Sequence, residues 1–109
     1  MEKYNTKTEA IIGLQKKGYE LDFILNNEYL LCVQDRELIS PDDFEITETY
    51  SFKSKLLPGE QHIIYAINSV HNGLKGILMT PYSAFTGGLS IHLWSKLSAN
   101  LLPFNSHIS

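Results

Sequence analysis

The 109-residue sequence holds a single cysteine, Cys32. One thiol forms no intramolecular disulfide and excludes a four-cysteine metal site. It lies in the apolar run YLLCV with no cation beside it, which predicts a small buried hydrophobe rather than a reactive thiol. Arginine is as scarce: Arg36 is the only one among nine basic residues, against twelve acids, for a formal net charge of -3. A nucleic-acid binder gathers positive charge on one face. The densest basic stretches here are Lys16-Lys17 and Lys53 to Lys55, so nucleic acid is not an expected partner. No apolar run approaches the ~20 residues of a membrane span. The opening MEKYNTKTEA lacks the apolar core of a signal peptide. The expectation is a cytoplasmic protein with no membrane partner. Nucleotide, P-loop, zincin and nucleophile-elbow motifs are missing. The four histidines, His62, His71, His92 and His107, lie in different segments and form no close metal-binding pair. No catalytic residue, metal or cofactor is assigned from the sequence, and the chain reads as non-catalytic.

What is present is an ordinary globular balance, 43% hydrophobic and 19% charged, over one domain's length. The single domain spans residues 1–109, with 103–109 reading as a tail without periodicity. Thr6 and Glu9 form a T-x-x-E capping box, and Ala10, Ile11 and Leu14 follow on one helical stripe. Lys16-Lys17 and Gly18 mark its end, predicting a helix over Lys7 to Lys17. YELDFILNNEYLLCV predicts a hairpin around Asn26-Asn27. Ser40-Pro41-Asp42-Asp43 is a helix start with little periodic sequence after it, hence a single turn whose acids serve as caps. From Phe44 to Lys53 the sequence alternates. Phe44, Ile46, Glu48, Tyr50 and Phe52 share one parity, with Glu48 the carboxylate in an apolar row.

HIIYAINSVHNGLKGILMTPY, from His62 to Tyr82, predicts a second hairpin. A two-residue Asn72-Gly73 turn would set Ile67 opposite Leu78 and Tyr65 opposite Thr80. Ile63, Tyr65, Ile67, Leu74 and Leu78 form one face; Ile64, Ala66, Val70, Ile77 and Met79 form the other. Both are apolar, so both need cover. Leu89, Leu93, Trp94, Leu97 and Leu101 recur at helical spacing and predict a second helix over Leu89 to Ala99. The expected architecture is α+β. A five-stranded, mainly antiparallel sheet carries an N-terminal and a C-terminal helix as a two-layer sandwich, and the uncovered face of its central hairpin calls for self-association as a homodimer. Glu48, Tyr65, Thr80 and Tyr82 are the polar groups expected to converge on a pocket, with Tyr65 beside Thr80.

Two resemblances bear on function. ILMTPYSAFTGGLSIHLW resembles the phosphoribosylpyrophosphate loop of phosphoribosyltransferases, where an apolar strand leads to two acids, three variable residues and Thr-Gly. Pro81 and Tyr82 stand at the two acid positions. The resemblance implies a phosphorylated-ligand site at Thr86, Gly87, Gly88 and Ser90; as residues alone, they read as a turn before a helix. The order helix, KKGY, hairpin, SPDDFEI, YSF, IIYAINS, LKG is similar to that of a group of small uncharacterised bacterial proteins of about this length. Some of those carry the name phosphoribosylpyrophosphate synthetase. That resemblance implies a shared fold and no established activity, since the basic pyrophosphate loop and metal-binding acids of such a synthetase are not in this sequence. The reading is a small interaction or regulatory module, with phosphorylated-ligand binding as the alternative.

Overall fold

The computed structural model describes residues 4–26, 28–53, 61–70, 73–81 and 91–98. Helix α1, Lys7–Lys16, begins where Thr6 Oγ1 accepts from Glu9 N–H at 3.1 Å, and Asn5 N–H donates back to Glu9 Oε1 at 2.9 Å. It ends in a Schellman motif. Gly18 (φ 102°) donates to Gln15 O and Tyr19 to Leu14 O, both at 3.0 Å. Tyr19 and Leu14 are both buried, which completes the apolar contact of that motif.

Six strands follow: β1 Leu21–Leu25, β2 Leu30–Cys32, β3 Glu37–Ile39, β4 Phe44–Lys53, β5 Gln61–Ser69 and β6 Lys75–Pro81. A 3-10 turn, Pro41–Asp43, links β3 to β4, and Ser40 Oγ caps it by accepting from Asp42 N–H. Helix α2 is Ile91–Ser98. The sheet order is β3-β2-β1-β6-β5-β4. The expected five antiparallel strands are therefore six in a mixed sheet, because β1 pairs β6 in parallel. The extra strand, β3, follows a four-residue turn in which Arg36 takes the left-handed conformation (φ 56°) and donates to Cys32 O at 2.8 Å. The turn lacks the Gly or Asn that announces one.

Two local expectations are corrected. The β5–β6 hairpin is real, but Tyr65 lies opposite Leu78 and Ile63 opposite Thr80. Val70 leaves the ladder to donate to Asp43 O at 2.9 Å, so the connection is four residues, Val70 to Gly73, not two. The register moves by two, which preserves both faces. In β4 a bulge between Ile46 and Glu48 reverses the facing of everything after it. Phe44 and Ile46 pack with α2, while Tyr50 and Phe52 pack with α1.

The helices lie on opposite faces. Leu93 and Leu97 of α2 join a core drawn from all six strands, with Phe23, Leu30, Cys32, Ile39, Phe44, Tyr65 and Leu78 buried in it. Ala10 and Leu14 of α1 join Ile64, Ala66 and Ile77 on the other side. The architecture is α+β in three layers, not two. The central hairpin is covered on both faces by the chain's own helices, which removes the original ground for expecting a partner there.

Candidate interaction surface

Of the four residues expected to form a pocket, the three that are described do not converge. Tyr65 is fully buried on the α2 side, its hydroxyl donating to Leu97 O at 3.1 Å. Thr80, opposite Ile63, shares that side and is 4% exposed. Glu48 is on the α1 side, opposite Ala66. The bulge is the physical reason: without it Glu48 would share the face of Ile46. Tyr82 and the proposed phosphate turn Thr86, Gly87, Gly88 and Ser90 lie outside the described residues.

Glu48 belongs instead to a cluster at the end of α1. Its Oε2 pairs with Lys17 Nζ at 3.0 Å, and its Oε1 accepts from the Tyr50 hydroxyl. The Tyr4 ring meets Tyr50 edge-on with centroids 5.0 Å apart. Burial, then the hydrogen bond to Glu48, push the Tyr50 phenol up to about 12. A phenol so held is a poor base, and a carboxylate engaged at both oxygens is poorly placed to take a substrate proton. Beside it, Tyr19 Oη and Thr47 Oγ1 are 2.7 Å apart, Thr47 donates to Ala66 O at 3.3 Å, and Lys75 Nζ sits 4.7 Å above the Tyr19 ring. These contacts tie α1 to β4, β5 and β6; they are structural. Among the described residues no group of three or more His, Cys, Asp or Glu is arranged to hold a metal ion. No helix among them is long and apolar enough to cross a membrane.

The unusual feature is the uneven cover of the sheet. On the α2 side, the inward residues of β1, β2 and β3 are buried: Phe23, Leu30, Cys32 and Ile39 are all at or below 5% exposure. On the α1 side, helix α1 lies against β5 and β6, and among the described residues nothing comparable lies over β1, β2 and β3. The residues of opposite parity there are also apolar. Ile24 pairs with Leu31 and Leu31 with Leu38. Ile24 and Met79 follow the Phe23–Leu78 pair on the two strands and line one hollow together. Met79, Ile24, Leu31 and Leu38 thus form an apolar ladder across four strands. Ile24, Leu38 and Met79 are 50%, 54% and 49% exposed. Tyr29 and Val33 bracket β2 at the parity of Leu31 and are exposed too. The charge beside the ladder is Asp22, which Gln34 clasps reciprocally through two 3.0 Å bonds. At the foot of α1 an open hollow of about 280 Å³ is lined by Ile11, Asp22, Phe23, Ile24, Ile77 and Met79.

Sequence reasoning missed this surface. Its signal was the run Tyr29 to Val33, apolar at both parities, which marks a strand that needs cover on both faces. No family model matches the chain, and no curated protein or solved structure matches it.

Proposed function

We propose that this protein is a non-catalytic interaction module whose working surface is the apolar ladder of β6, β1, β2 and β3 beside α1. The observation that carries the reading is the clustering of exposed apolar side chains. Of the eight exposed large hydrophobics among the described residues, Ile24, Leu38 and Met79 belong to this one face, and Tyr29 and Val33 flank it at the two ends of β2. Scattered exposed apolar residues are ordinary; the largest apolar patch of a monomer, typically about 300–600 Å², is often functional. The polar clusters support the same reading, since their members are engaged with one another. The composition and the single buried cysteine fit a cytoplasmic setting.

The test is site-specific photo-crosslinking in cells. A photoreactive phenylalanine analogue at Leu38 is expected to give a defined protein adduct, and the same analogue at Val70, exposed elsewhere, is not. Equal adducts from both positions, or none from Leu38, would contradict the reading.

A further inference from the structure

We infer that the occupant of the bare half of the sheet is a second copy of this chain, seated face to face by a two-fold axis. The inference rests on the interaction-module reading and names its partner. Two observations carry it, shape and area, and charge speaks against an anionic membrane in its place.

The α1 side is a step. Helix α1 forms a raised layer over β5 and β6, while β1, β2 and β3 lie one layer lower. A helix is about 10 Å across, and stacked sheets also sit about 10 Å apart. A step of that height is self-complementary. When a two-fold axis laps bare half over bare half, the partner's sheet occupies the level of α1, and each α1 abuts the other copy's β3 edge. One movement covers the ladder, closes the hollow at Ile11 and Met79, and screens an edge strand otherwise open to pairing.

The area fits. Five side chains near half exposure, with Leu31 and Ile11 partly exposed between them, leave on the order of 450 Å² of apolar surface. A standard interface takes about 800 Å² from each partner, of which about 56–65% is apolar.

Charge excludes one other occupant, an anionic membrane. An isologous contact sets a patch against itself, so net charge within it repels. The one charged residue lining the hollow is Asp22, and Gln34 holds it. An anionic membrane surface would need a basic rim. The neighbouring exposed charges are instead mostly acidic: Glu20, Glu28, Asp35 and Glu37 against Arg36.

Sedimentation equilibrium of the full chain from about 1 to about 100 μM tests this. The wild type is expected at twice the chain mass. Ile24→Ser with Leu38→Ser is expected to raise the dissociation constant by about 100-fold or more, with an unchanged far-ultraviolet dichroism spectrum, and Val70→Ser to leave it unaltered. Should the double variant lose structure, Leu38→Lys alone, at the sheet edge, carries the same expectation. A wild type at single-chain mass throughout, or a dimer indifferent to Leu38→Lys, overturns the second copy. A monomer that still cross-links from Leu38 to a different protein sinks this inference and leaves the module reading intact. A monomer with no Leu38 adduct sinks both.

Discussion

Tyr50 keeps its proton because its neighbourhood disfavours a phenolate, first through burial, then through a hydrogen bond that needs the hydroxyl proton and the negative charge of Glu48. The unfolded chain releases that proton near 10, and the folded chain holds it to about 12. A group whose folded pKa is raised stabilises the fold fully below the unfolded pKa, and that contribution fades as pH rises through the folded one. Stability is therefore expected to fall between pH 10 and about 12, and Tyr50→Phe to remove part of the fall; urea midpoints across that window measure it. An identical decline in the variant would mean that Tyr50 is not the group. At this scale the sequence was readable wherever chemistry is local. Thr6, Glu9, Gly18 and Ser40 act on backbone groups within five residues of themselves, and they behave as their types predict. Glu48 was legible as an anomaly but not as a neighbour of Lys17, because that pairing depends on a bulge one residue away.

Among elements, the β1–β6 junction has the tightest requirement. A Cβ at Gly76 would strike the Leu21 carbonyl oxygen and come within 2.6 Å of the Phe23 ring. Backbone cannot yield as a flexible side chain does, so Gly76→Ala is expected to lower stability by about 1–3 kcal/mol, read from chemical denaturation. No loss would mean that β1 does not approach β6 so closely. The two helices, the β1–β2 hairpin and the alternating β4 were all visible in periodicity. Three features were not. Strand β3 is three residues long and follows a turn built on Arg36, so neither length nor turn chemistry announces it. The bulge at Thr47 leaves the alternation of β4 unbroken in sequence while rotating its second half to the opposite face. The parallel contact of β1 with β6 joins segments some fifty residues apart, and no local pattern encodes it.

For the molecule as a whole, the central hairpin has both of its apolar faces covered, as expected, but by the chain's own helices rather than by a partner. The central hairpin is covered by α1 on one side and α2 on the other. Among the described residues, what remains bare is the flank that sequence treated as a simple hairpin, and its ladder of Met79, Ile24, Leu31 and Leu38 carries the proposed function. The most direct measurement uses a native side chain of that ladder. Of the two methionines, Met79 lies in the patch and Met1 at the chain start. Peroxide oxidation followed by peptide mass analysis gives the rate at each as protein concentration rises. The account predicts that Met79 oxidises readily in dilute protein and becomes protected as the second copy closes over it, while Met1 does not change in step. A Met79 rate that is the same at every concentration, or that tracks Met1, would contradict it.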